Sequence, residues 1–283
     1  MKVGSLLVAL VACCALTGCG QDDDSSLTVA TASYPLAWTV EQIAGDDATV
    51  IDVVRPGVEP HDAELTVQET AELTEANLVV YALGLSPAVD EVAADVEGDS
   101  LEVSGAARVT GDDPHFWLDP TRLSDVAAEI AAAMEDADPD HADAYQRRLT
   151  ALQEDLASLH REFESGLSDC ARRTVVVSHD AFGYLGDRYD LDLEAVAGLS
   201  PEAEPSPSHL VTLRDLAQRD GITTVFAERL AGPELAETLA DDLGIDVAVL
   251  DPVEGLSDDT ADEDYLSLMR QNLAALEKAN DCS

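Results

Sequence analysis

The stretch PDHADAYQRRLTALQEDLASLHREFESGL, residues 139–167, decides how the rest of the chain must be arranged. Its apolar positions are Ala142, Tyr145, Leu149, Leu152, Leu156, Leu159, Phe163 and Leu167. The steps between them are threes and fours, the spacing that lines one face of an α-helix. At 1.5 Å per residue such a helix runs roughly 45 Å, longer than one α/β lobe needs. The spacing therefore predicts a helix that bridges two lobes. Just before it, Asp138 supplies a capping carboxylate and Pro139 a first-turn proline.

Outward from this helix, both flanks alternate short apolar runs with helical segments. On the N-terminal side, strands are predicted at 27–33, 48–54 and 77–83, with helices at 35–44, 66–76 and 86–96 and another starting near Pro120. On the C-terminal side, strands are predicted at 173–178, 191–198, 222–228 and 245–250, with a helix starting after the first of these and further helices at 208–219, 233–243 and 264–279. Strands separated by helices of this length imply βαβ units and parallel sheets. The expected fold class is α/β: two Rossmann-like lobes with parallel sheets joined by one long backbone helix. The expected boundaries are a lobe at 27–137, the linking helix at 138–167 and a second lobe at 168–283. No repeat at a fixed period is evident.

The composition is unusual in one respect. Against 58 acidic side chains there are 15 basic ones, a formal net charge of −43 in 283 residues, and Lys2 and Lys278 are the only lysines. Binding to nucleic acid needs clustered cations, so that class is excluded. The acidity reads either as a solvated, salt-adapted surface or as a field that gathers cations. The run SDDTADED at 257–264 is read as a solvated loop.

The N-terminus reads MKVGSLLVALVACCALTGCGQDDDSS. A lysine precedes an apolar run from Val3 to Leu16, too short for a spanning helix but suited to a secretory signal. LTGC, Leu16 to Cys19, resembles the lipobox of bacterial lipoproteins, which implies cleavage after residue 18, lipid on Cys19 and a polar acidic tether at 19–26; an ordinary secretory signal is the alternative. Several acyl chains anchor a protein stably where one would be marginal. Cys13 and Cys14 leave with the signal, so Cys170 and Cys282 remain. In an oxidising compartment an even count reads as a disulfide, with two buried free thiols as the alternative.

Of six histidines, three sit at comparable places. His61 lies in the loop after strand 48–54. His115 lies in DPHFWLDP, residues 113–120, and His179 directly follows strand 173–178. Asp251 directly follows strand 245–250. Carboxyl ends of parallel strands face the ligand crevice, so a cleft between lobes can collect all four. Three imidazoles and a carboxylate suit Zn2+. Asp62 follows His61 and Asp180 follows His179, each placed to hold an imidazole from behind. His141, His160 and His209 read as surface or helix-end residues. Any single histidine is equally a satisfied core or capping group, and only the joint placement argues for a metal.

RPGVEPHDAEL (55–65), DPHFWLDP, TVVVSHDAFGYLGDRYDLDLEAVAGLSPEAEPSPSHL (174–210) and VLDPVEG (249–255) together resemble the zinc and manganese class of solute-binding proteins of ABC importers, a ZnuA-like metal-binding family. The resemblance covers essentially the whole mature chain, in order. It implies a metal buried between two lobes, held by His61, His115 and His179. Asp251 matches the fourth, carboxylate ligand of members that use one, and Glu59 is a candidate alternative. A histidine at the third position goes with zinc in this family, and a glutamate with manganese. One departure is the short segment SGAARVTGDD (104–113), which lacks the histidine-rich loop of many zinc members and speaks against an accessory metal site.

The resemblance implies a monomeric, lipid-anchored protein on the extracytoplasmic face of the cell membrane that captures Zn2+ and hands it to a membrane permease. It implies no catalytic role. The alternatives are a manganese or broad divalent-metal carrier and, from other classes, a zinc-dependent hydrolase or an adhesin. A carrier closes the fourth metal position with protein, whereas a hydrolase leaves it to water.

Overall fold

The computed structural model describes residues 27–94, 96, 99–201 and 203–283. The signal segment 1–18, the tether 19–26 and Cys19 lie outside the described residues. Two four-stranded sheets form, each wholly parallel. The first contains β1 (Leu27–Thr31), β2 (Ala48–Asp52), β3 (Leu78–Tyr81) and β4 (Asp99–Glu102), in the order β2-β1-β3-β4. The second contains β5 (Thr174–Val177), β6 (Asp192–Ala195), β7 (Thr224–Ala227) and β8 (Asp246–Val249), in the order β6-β5-β7-β8. The two lobes therefore share one strand order.

The helices of the first half are α1 (Tyr34–Ala44), α2 (Val67–Glu75), α3 (Pro87–Ala93), α4 (Ser104–Ala107) and α5 (Pro120–Ala137). Then come α6 (Ala142–Gly166), α7 (Gly183–Tyr189), α8 (Pro207–Asp220), α9 (Glu234–Leu243) and α10 (Tyr265–Asn280). Strand β4 and helix α4 were not among the elements expected from sequence. β4, of sequence DSLE, is a short edge strand with its first two residues exposed, so no apolar run marks it.

The bridging helix is α6. It starts at Ala142 rather than in the preceding segment, because Pro139–His141 forms a 3-10 turn. Asp138 does not cap a backbone N–H with its side chain. Its Oδ2 instead accepts from His141 Nδ1 and from the Tyr145 hydroxyl, each at 2.7 Å. The stripe behaves as its spacing requires: Tyr145, Leu149, Leu152, Leu156, Leu159 and Phe163 are buried. Each such burial is worth about 1.5–3 kcal/mol. Helix α6 packs on α5, α1 and α10. One hydrophobic cluster consequently runs from Val29 and Val80 of the first sheet, through this stripe, to Val175 and Phe226 of the second. Separate clusters fill the outer face of each sheet.

Polar contacts also cross between the halves. The Trp117 indole donates to the Pro252 carbonyl at 2.8 Å, and the Tyr265 hydroxyl donates to the Trp117 carbonyl at 2.5 Å. Phe116 and Trp117 are fully buried, which seats the DPHFWLDP loop and excludes water from behind it. Asp119 accepts from the Thr121 N–H at 2.9 Å and so starts α5. Near the C-terminus the sulfurs of Cys170 and Cys282 are bonded, closing a separation of 112 residues. Among the described residues no helix is long and apolar enough to cross a membrane.

Candidate metal centre

Four segments bring donors to one point between the sheets. After β2 the chain forms a 3-10 turn, Pro60–Asp62, and Glu59 fixes it by accepting the His61 N–H at 3.0 Å. His115 is set by Asp113, whose Oδ1 accepts both its backbone N–H at 3.0 Å and its Nδ1 at 2.7 Å. His179 follows Ser178 at the end of β5, with Nδ1 2.5 Å from Glu228 Oε1. The fourth donor is Glu254, in the loop after β8. One donor atom from each of His61, His115, His179 and Glu254 lies within 4.8 Å of all the others.

The expected carboxylate, Asp251, stands outside this cluster. Its Oδ1 accepts the Val253 N–H at 2.8 Å, and its Oδ2 pairs with Arg229 Nε at 3.0 Å. Its backbone is clamped by Asn272, which donates to the Asp251 carbonyl at 2.6 Å and accepts from the Asp251 N–H at 2.8 Å. Val253 is held at φ +58°, a left-handed conformation costly for a β-branched residue. This turn leaves Glu254 facing the histidines while Asp251 is spent on holding the turn itself. Glu59, the alternative, contributes through the His61 backbone and not as a member of the cluster. Asp62 and Asp180 are exposed; Asp113 and Glu228 occupy the places behind the imidazoles instead.

All three rings direct Nε2 inward. Glu254 Oε1 lies 2.9 Å from that of His115, 3.4 Å from that of His179 and 3.7 Å from that of His61. The Nε2 atoms of His61 and His115 are 3.1 Å apart. Donors on a tetrahedral zinc with bonds of about 2.0–2.1 Å stand roughly 3.3 Å from one another, so this spacing fits such an ion. His179 Nε2 and both Glu254 carboxylate oxygens are buried without a hydrogen-bond partner among the described residues. Orphaned polar atoms of this kind are costly, and a cation shared among them removes the cost.

The electrostatics follow from the crowding. Burial alone would raise the Glu254 carboxyl, but the three imidazoles close around it hold it well below the usual carboxylate range. Burial would lower His179, yet Glu228 and Glu254 push it up to about 10. Burial also opposes charge on His115, and Asp113 and Glu254 reverse that, raising it. Burial, aided by Glu254, lifts Glu59 to about 8. The other histidines have partners elsewhere: His141 with Asp138, His160 with the Tyr189 hydroxyl and His209 with the Ala195 carbonyl.

Residues 29–279 match the family described as zinc-uptake complex component A, periplasmic, or ZnuA. The chain belongs to the ZnuA family. Zinc-binding lipoprotein AdcA of Streptococcus pneumoniae (strain ATCC BAA-255 / R6) is 32% identical over 308 residues, which take in 99% of this chain and 62% of AdcA. The chain thus spans less than two thirds of the length of that relative. The crystal structure of the Zn(II)-bound ZnuA-like domain of S. pneumoniae AdcA superposes with a TM-score of 0.78 at 30% identity, covering 90% of this chain and 99% of that one. The laminin-binding protein Lmb of Streptococcus agalactiae, described as bifunctional with adhesin and metal transporting activity, gives a TM-score of 0.81 at 29% identity, with coverage of 89% and 99%. The two-lobed α/β architecture of this ZnuA-family chain is the one those structures share.

Proposed function

We propose that this chain captures Zn2+ outside the cytoplasmic membrane and delivers it to the permease of an ABC importer. In this reading lobes 27–137 and 168–283, joined by 138–167, enclose the ion, and His61, His115, His179 and Glu254 are its ligands. The observation that carries the reading is the set of four donors, His115, His179 and Glu254 buried and His61 half-buried, part of it unpartnered, at the spacing of a four-coordinate ion. Three imidazole nitrogens and one carboxylate favour Zn2+ over Mn2+, which prefers oxygen. With protein at all four positions none is left for an activated water, which supports a carrier and not a zinc hydrolase. Lipid on Cys19 would hold a monomeric protein at the extracytoplasmic face, as the lipoprotein name of its S. pneumoniae relative suggests. Nothing in the described surface favours the adhesin reading for this chain.

The test is a competition titration of metal-free protein with Zn2+ and Mn2+ at neutral pH. Zinc is expected to bind far more tightly, with His61→Ala, His115→Ala and His179→Ala each greatly weakened and His160→Ala unchanged. Equal affinity for manganese would make the protein a manganese or broad-range carrier. Zinc-dependent ester hydrolysis lost in His115→Ala would replace the carrier with an enzyme.

A further inference from the structure

Two of the three inward-facing imidazoles are held from behind by carboxylates. Asp113 is two residues from His115 and grips its ring and its backbone with one oxygen. Glu228 comes from a different strand: it follows β7 and reaches across to the residues that follow β5. There its Oε1 accepts from both His179 Nδ1 and the Ser178 hydroxyl. Glu228 is buried, and its second oxygen, Oε2, has no hydrogen-bond partner among the described residues. A half-satisfied buried carboxylate is a poor device for stabilising a fold, since an apolar side chain of similar size would avoid the desolvation. Its position is better explained by what it does to the ring it touches.

We propose that Glu228 is a positioning residue for His179, and Asp113 its counterpart for His115, each fixing a ring so that Nε2 presents its lone pair to the ion. The proposal rests on the reading that these histidines are ligands. A carboxylate accepts and cannot donate, so the ring nitrogen facing it carries the proton and the opposite nitrogen is left free to coordinate. The contact also locks the torsion of the imidazole and makes it a stronger donor. Because Glu228 binds Ser178 and His179 together, it ties the ligand to β7, the strand beside β5 in the second sheet. His61 is handled differently: Glu59 fixes its backbone N–H.

The experiment measures Zn2+ affinity by chelator competition for the parent and for Glu228→Gln, Glu228→Leu, Asp113→Asn and His179→Ala, each as the full mature chain. Cobalt at saturation is then used as a spectroscopic probe of ligand geometry. Glu228→Leu is expected to weaken zinc on the order of 10–100-fold, the usual effect of removing such a partner. Glu228→Gln is expected to lose less, because its amide oxygen still accepts from Nδ1. It is close in shape to the parent residue and guards against a folding failure of the leucine variant. Asp113→Asn should behave like Glu228→Gln. The visible cobalt bands should shift in Glu228→Leu while the melting temperature of the metal-free Glu228→Gln protein stays near that of the parent. If His179→Ala keeps parental affinity, the ligand reading fails and this proposal with it. If His179→Ala loses zinc but both Glu228 variants stay within about threefold of the parent, positioning alone is refuted. Affinity lost with an unchanged cobalt spectrum and a lowered metal-free melting temperature would also overturn it, by showing a structural role only.

Discussion

Glu254 and Asp251 are three residues apart and have opposite duties. Glu254→Gln removes the anionic donor of the centre, so zinc affinity is expected to fall steeply. Asp251→Ala leaves the Val253 N–H without its acceptor and Arg229 without its ion-pair partner. It is expected to cost about 1–3 kcal/mol of stability, read by urea denaturation, with a smaller and indirect effect on zinc. Identical zinc loss in both variants would contradict that division. The same residues set the response to pH. His179 is raised from 6.5 to about 10 in the folded protein, so its contribution to metal-free stability is complete below 6.5 and is lost as pH rises through 10. Glu59, raised to about 8, and Asp52, raised by burial to about 7, act in the same direction over lower ranges. Glu254 is depressed, so its contribution is complete above 4.5 and is lost in acid. Metal-free stability is therefore expected to fall between pH 5.5 and 9.5, while zinc affinity climbs over the same range as protons leave the imidazoles. Denaturant melts and titrations at those pH values check both signs.

At the scale of elements, the C-terminal helix is tied to the strand that leads to His179. Beyond the Cys170–Cys282 bond, the Ala171 and Arg172 N–H groups donate to the Asp281 and Asn280 carbonyls, and the Ser283 N–H to that of Asp169. The end of helix α10 is thereby stapled to the segment that leads into β5, and the helix carries Asn272, which clamps Asp251, and Tyr265, which holds Trp117. Constraining a loop of this length is worth up to about 4.7 kcal/mol in the chain-entropy model. Cys282→Ser is expected to lower the unfolding free energy by a few kcal/mol, on the order of that limit, and a reducing agent should do the same to the parent. Two alkylatable thiols in the exported, non-reduced protein would remove the bond from the account.

For the whole molecule the dominant fact is a formal charge of −43. Self-repulsion on that scale opposes the compact state, and salt screens it because the Debye length falls from about 30 Å at 0.01 M to about 3 Å at 1 M. The melting temperature of the metal-free protein is expected to rise with sodium chloride across that range. A fall would mean that the exposed ion pairs, such as Arg270–Glu162 and Arg108–Asp125, outweigh the repulsion. The long continuous core through α6 and the contacts of Trp117 and Tyr265 give the two lobes a shared interior, against which this surface charge acts.

The helix 142–166, the alternation of strands and helices, and the placement of His61 and His179 after strands were legible, because periodicity and position after a strand are local properties of a chain. The edge strand β4 was not, since Asp99 to Glu102 carries no apolar alternation. Nor was the common strand order of the two lobes visible, because topology recurs here without a repeating sequence. The choice of Glu254 over Asp251 was beyond any reading of VLDPVEG. It depends on a left-handed Val253 and on Arg229 and Asn272, which arrive from elsewhere in the chain. The contact of Glu228 with His179 spans 49 residues and two strands, so only the pairing of β5 with β7 could reveal it. Sequence determined which residue types stand at the ends of the strands; tertiary structure decided which carboxylate meets the imidazoles, because that depends on the direction in which a turn points its side chains.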